Sequence, residues 1–235
     1  MKTIGLIGGM SWESSATYYR IINERVKEKL GGFHSAKSLM YSVDFAQVEK
    51  LQREGNWGQA ADMMIDAARR LEYGGADFAV LCTNTMHKLF DEVQKNVAMP
   101  LLHIADATAV RIKRQGLDRV GLLGTKFTME EDFYKGRLSE KYGLDVVVPG
   151  YADRQIIHDV IYKELCLGIM NQSSKDEFVR IANSLADQGL EGLILGCTEI
   201  PLLIEQKDVG LLLFDTTRIH AESAVDFALS DTSGL

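Results

Sequence analysis

Much that would point directly to a function is scarce in this chain. Only three cysteines occur in 235 residues, Cys82, Cys166 and Cys197, an odd number at wide spacing. The start, MKTIGLIGGM, carries one lysine and too short an apolar stretch for a secretion signal, so a disulfide framework is not expected. No Cys-x-x-Cys or paired-histidine spacing occurs, and the five histidines are dispersed, which removes the common metal sites. No apolar run approaches the roughly 18 residues of a membrane span. Basic residues number 26 against 33 acidic ones, giving a net charge of −7. A phosphate-tracking surface needs a Lys/Arg stripe, so nucleic acid is not an expected partner. Low-complexity segments and obvious linkers are missing as well. The compartment expected is the cytoplasm, where thiols stay reduced and can act as nucleophiles or bases.

What is present is regular. Hydrophobic residues make up 46% and charged residues 25% of the chain, an ordinary globular composition. Eight short apolar runs bounded by turn residues read as strands: TIGLI, SLMYSV, DFAVL, PLLHI, RVGLLG, DVVV, GLILG and GLLLF. Amphipathic segments lie between them, such as SSATYYRIINERVKEKL and WGQAADMMIDAARRLEYGG. In the second, Ala60, Met63, Met64, Ala67, Ala68 and Leu71 recur at helical spacing, and glycine follows. Strands alternating with helices predict an α/β fold with mostly parallel sheets.

The chain also repeats itself. IGLIGGMSWESSATYY, from Ile4, aligns with VGLLGTKFTMEEDFYK, from Val120, at an offset of 116, matching Gly5 to Gly121, Gly8 to Gly124 and Tyr18 to Tyr134. ARRLEYGGADFAVLCTN aligns with ANSLADQGLEGLILGCT at an offset of 114, matching Leu71 to Leu185, Gly75 to Gly189 and Leu81 to Leu195. Two offsets near half the chain length predict two similar α/β halves. In this register the partner of Cys197 is Thr83. Cys82 is one residue out of phase, and because neighbouring side chains at a strand end point opposite ways, it is expected to face the body of its own half.

GLIGGM, after a strand and before a helix, resembles a glycine-rich turn whose amides bind an anion, but the dinucleotide fingerprint would need its third glycine at Ser11. Thr125 and Thr128 follow the equivalent strand and fit either hydroxyl donors to that anion or helix caps. Asn84 and Thr85 after Thr83, and Thr198 after Cys197, stand where strands give way to helices, the usual ligand side of open α/β sheets. Cys197 at such a helix start is expected to have a lowered pKa. Cys166, in IYKELCLG, is expected to be a small buried hydrophobe.

The paired motifs, TNTMH at 83–87 and GCTE at 196–199, with GGM near the start, resemble the aspartate/glutamate racemase superfamily over nearly the whole chain. The resemblance implies two pseudo-symmetric domains, 1–103 plus 215–235 and 104–214, with the active site between them and no cofactor or metal. It further implies a homodimer and a small amino-acid substrate. In that superfamily one cysteine from each half handles the α-proton, from opposite faces. GCTE matches fully, and His87 stands at the family spacing, but Thr83 replaces the first catalytic cysteine. Carried over by position, Met10 and Ser11 line the substrate site, while Asn84, Thr85, Thr125 and Thr198 hold its carboxylate and amino group. Gln47 and Lys163 fall near side-chain contacts. Where some aspartate racemases have an arginine after Gln47, this chain has Val48, leaving Lys163 either as the cation for a distal carboxylate or as a solvated helix residue.

A threonine hydroxyl is too weak an acid to be ionised near neutral pH, yet it can protonate a carbanion. A thiol, with an ordinary pKa near ~8.5, can do both. Thr83 as acid and Cys197 as base therefore form a directional pair, and since the resemblance implies that the carboxyl-half cysteine deprotonates the L-substrate, the expected activity is racemisation of L-aspartate or L-glutamate. A single-cysteine decarboxylase or isomerase of dicarboxylates, and a non-catalytic binding protein, are the alternatives.

Overall fold

The computed structural model describes residues 1–230. The strands are β1 (Ile4–Gly8), β2 (Ser38–Ser42), β3 (Phe78–Leu81), β4 (Leu101–Leu102), β5 (Arg119–Gly124), β6 (Asp145–Val147), β7 (Gly192–Gly196) and β8 (Leu212–Asp215). Each of the eight apolar runs contributes one. The α-helices are α1 (Trp12–Leu30), α2 (Phe45–Arg53), α3 (Trp57–Tyr73), α4 (Phe90–Lys95), α5 (Ile104–Arg114), α6 (Lys126–Glu130), α7 (Asp132–Tyr142), α8 (Tyr151–Lys163), α9 (Gln172–Ala186), α10 (Ile200–Leu203) and α11 (Thr216–Leu229). A 3-10 helix, Thr85–Leu89, links β3 to α4.

The chain forms two compact units, Met1–Ile104 with the described residues from His220 onward, and Ala105–Ile219. The tail of the expected first domain, 231–235, lies outside the described residues. Each unit holds a four-stranded parallel sheet, ordered β2-β1-β3-β4 in the first and β6-β5-β7-β8 in the second, so β1 to β4 correspond in order to β5 to β8. Ile7 pairs with Leu81, and Leu123 with Leu195. The paired positions are 74 residues apart in the first sheet and 72 in the second, the same two-residue difference that separates the two repeat offsets. Thr83 and Cys197 thus stand two residues beyond equivalent pairs.

The helix after the last strand of each sheet changes units. α5 follows β4 but, from Ala105, belongs to the second unit; α11 follows β8 and, from His220, belongs to the first. Tyr18 on α1, fully buried, lies 2.9 Å through its hydroxyl from Nδ1 of His220 on α11. Its repeat partner Tyr134 on α7, equally buried, stands beside Thr108 of α5.

Sheets covered on both faces give near-continuous apolar strands, which is why these runs do not alternate with polar residues. Within the first unit the faces still sort by parity. Ile4, Leu6, Phe78, Val80 and Cys82 pack with Tyr18, Ile22 and the alanines of α11. Ile7, Ala79 and Leu81 pack against Met64, Ala68 and Leu71 of α3 and against Met86. Burying each large apolar side chain contributes about 1.5–3 kcal/mol.

Candidate active site

In the second unit, β5 and β7 end on the paired glycines Gly124 and Gly196. A Cβ on Gly124 would come within 2.9 Å of the Gly196 carbonyl, and one on Gly196 within 2.9 Å of the Leu123 carbonyl. Only glycine lets the strand ends approach this closely, and Thr125 and Cys197 follow directly. The Thr125 hydroxyl accepts the Thr128 amide at 3.3 Å and caps α6. The next amide, of Lys126, donates to Nδ1 of His158 on α8 at 3.2 Å.

Cys197 is buried, and its Sγ donates to Oε2 of Glu199 at 3.0 Å. The half-buried Thr198 donates its hydroxyl to the same oxygen at 2.6 Å. This overturns the expected lowering of the Cys197 pKa. Burial, then the Glu199 carboxylate and the Cys166 thiol, push it well above the ordinary value. No favourable helix terminus offsets them, because α10 has only four residues and begins three residues later. Cys166 also departs from expectation: it is partly exposed, and it lies close enough to Cys197 to act on its charge.

In the first unit the glycine-rich turn is spent on its own structure. Gly9 has φ +94°, and a Cβ there would fall 2.1 Å from the Val43 carbonyl. Its amide donates to Ser15 Oγ at 2.7 Å, so at this position the anion-binding reading gives way to an internal bond. Met10 and Ser11, joined by a cis peptide bond, are buried, and Ser11 Oγ caps α1 by accepting the Ser14 amide at 3.3 Å. Thr83, Asn84 and Thr85 are buried at the carboxyl end of β3. Among the described residues, the Thr83 hydroxyl has no hydrogen-bond partner. Cys82 falls on the α1/α11 face, fully buried, and burial pushes its pKa far up. Its thiol is shut off from solvent.

The carboxyl end of the first sheet therefore brings together Met10, Ser11, Thr83, Asn84 and Thr85, and that of the second brings Thr125, Cys197 and Thr198. Gln47 is exposed on the first turn of α2, and Val48 beside it is fully buried in the core. Lys163 ends α8, largely exposed, with Nζ 3.1 Å from Asp159 of the same helix. Glu199 carries no signal in the sequence beyond adjoining the Cys-Thr pair, and the nearness of Cys166 carries none. Among the described residues, no group of three His, Cys, Asp or Glu side chains could hold a metal, and no helix is long and apolar enough to cross a membrane.

Two equivalent parallel sheets, each presenting small polar side chains and one presenting a thiol at its carboxyl end, define a two-domain racemase fold. Residues 7–224 match the family described as Asp/Glu/Hydantoin racemase, and the chain belongs to that family of amino-acid racemases, which act without pyridoxal phosphate. A candidate Asp/Glu racemase from Yersinia pestis is 53% identical, with 98% of this chain and 100% of that one covered at a TM-score of 0.92. An aspartate racemase homologue from Pyrococcus horikoshii OT3 is 38% identical over 98% and 100% of the two chains, with a TM-score of 0.84. The broad specificity amino-acid racemase RacX of Bacillus subtilis is 24% identical over 71% of each chain.

Proposed function

We propose that this protein racemises an acidic amino acid, L-aspartate or L-glutamate, with Cys197 removing the α-proton and Thr83 returning one from the opposite face. The observation that carries this reading is an asymmetry between equivalent positions. Cys197, Thr198 and Glu199 correspond to Thr83, Asn84 and Thr85, so only the second half pairs a thiol with a carboxylate acceptor. In the free enzyme the thiol is held protonated. A substrate ammonium group favours the thiolate, and Glu199, whose Oε2 accepts the thiol, relays its proton to solvent. The thiolate then accepts the α-proton, Thr83 gives its hydroxyl proton to the carbanion, and Thr83 is reprotonated from water. Thr83 cannot run the step backwards with comparable ease, so attack on D-substrates is slow.

For the distal carboxylate we propose Lys163. It lies three residues before Cys166, whose thiol acts on Cys197, and its exposed pair with Asp159 is weak enough to exchange for a ligand. The name of the RacX relative makes a wider side-chain range the competing outcome. The test is incubation with L- and D-amino acids in D2O, following Cα exchange by NMR. Exchange confined to L-aspartate and L-glutamate supports the proposal. Carbon dioxide release from a substituted malonate without amino-acid exchange points instead to a one-thiol decarboxylase, and tight binding without exchange to a binding protein.

A further inference from the structure

The Thr83 hydroxyl has no protein partner among the described residues, so no side-chain bond holds it and the peptide frame beneath it sets where its oxygen stands. Two side chains hold that frame. Ser14 Oγ donates to the Cys82 carbonyl at 2.9 Å, and Nδ1 of His87 lies 2.7 Å from the Thr83 carbonyl. The other ring nitrogen of His87, Nε2, accepts the amide of Ile104 at 3.2 Å. An N–H pointing at Nε2 requires a lone pair there, so the ring proton sits on Nδ1 and is donated to Thr83. One neutral tautomer satisfies both bonds.

The ring is 2% exposed and stacks on Phe90, with the centroids 5.8 Å apart. The rings of His103 and His220 lie 4.6 Å and 5.7 Å away. Ile104 is the last residue of the first unit before the chain passes into the second. His87 therefore ties the Thr83 peptide to the point where the chain leaves its unit.

We infer that His87 is a positioning residue for Thr83: its Nδ1–H holds the Thr83 carbonyl, and through Ile104 it anchors the position from which the Thr83 hydroxyl delivers its proton. This rests on the reading of Thr83 as proton donor. The magnitude expected is large, since misplacing a reacting group by about 1 Å costs about 100-fold in rate.

The two bonds can be removed separately. In His87→Asn the amide nitrogen falls near Nδ1, keeping the donor to Thr83 and losing the acceptor. In His87→Gln the side-chain oxygen falls near Nε2, keeping the acceptor and losing the donor. With L-aspartate in D2O, Cys197 alone suffices for deuterium exchange with retention, whereas inversion to D-aspartate also needs Thr83. His87→Gln should lower the ratio of inversion to retentive exchange by about tenfold or more, with exchange within about threefold of the parent; His87→Asn should keep the ratio within about threefold.

Thr83→Val separates the two hypotheses. If it leaves inversion intact, the donor assignment of Thr83 fails. If it abolishes inversion and spares exchange, but His87→Gln keeps the parent ratio or loses both rates in parallel, the positioning role is overturned. Should His87→Gln fail to fold, the parent still provides a test. Its His87 Nδ1-bound proton resonance should shift when L-aspartate saturates the site, and no shift would overturn the inference.

Discussion

The thiol of Cys197 donates a 3.0 Å hydrogen bond to the carboxylate of Glu199, and both groups are buried. The bond has two opposed consequences. The negative charge resists thiolate formation, and the same oxygen is the nearest acceptor for the thiol proton.

The first prediction follows from that opposition. The basic form of Cys197 exists above its pKa, which is raised, so the rising limb of kcat/KM against pH should lie on the alkaline side of an ordinary thiol at ~8.5. Glu199→Gln removes the charge and should move the limb to lower pH, while the lost acceptor lowers the plateau by about 10- to 100-fold. A limb that stays in place in the variant would contradict this role.

The three thiols should respond differently. Cys197→Ser should abolish Cα exchange of L-aspartate in a folded protein. Cys82→Ala should leave turnover within about threefold and lower stability by about 1 kcal/mol, as expected for a small void in the α1/α11 layer. Cys166→Ala should keep turnover within a few-fold and shift the pH limb slightly downward, because one of the groups raising the Cys197 pKa is gone. Loss of activity in folded Cys82→Ala would mean the strand parity has been misread.

Replacing Thr83 with cysteine places a thiol at both equivalent positions. A thiol there can lose a proton as well as give one, so Cα exchange of D-aspartate or D-glutamate should rise by about tenfold or more. The equilibrium between enantiomers stays fixed. A parent that already exchanges D-substrates as fast as L would sink the acid-only role.

Stability near the exchanged helix should depend on pH through Asp106 of α5. Burial opposes its ionisation, but hydrogen bonds from Arg137 (2.6 Å) and Lys141 (2.9 Å) on α7 outweigh it, and its pKa is lowered. A depressed carboxylate contributes stability above its unfolded value, near ~3.9, and loses it as pH falls through the folded value. Asp106→Asn should cost about 1–2 kcal/mol near neutral pH in chemical denaturation, with the two proteins converging in acid. An equal cost at all pH values would assign the loss to packing.

The sequence by itself determined the eight strands, because runs buried on both faces must be apolar throughout and are punctuated by turn residues. It also determined the equivalence of Thr83 and Cys197, since a duplicated strand order preserves spacing to within two residues. Even the inward facing of Cys82 was legible, from parity alone. Tertiary structure decided what surrounds those positions. The pKa of Cys197 depends on where Glu199 points and on Cys166, 31 residues earlier, and local periodicity carries neither direction nor distance. The tautomer of His87 depends on an amide 17 residues away, at the point where the chain leaves its unit. The exchange of α5 and α11 between halves was implied by the family resemblance, whereas the contacts that seal it, Asp106 with Arg137 and Tyr18 with His220, came only with packing. Strand and helix formation follow from nearest neighbours, whereas charge and protonation are fixed only when distant segments meet in a low-dielectric interior.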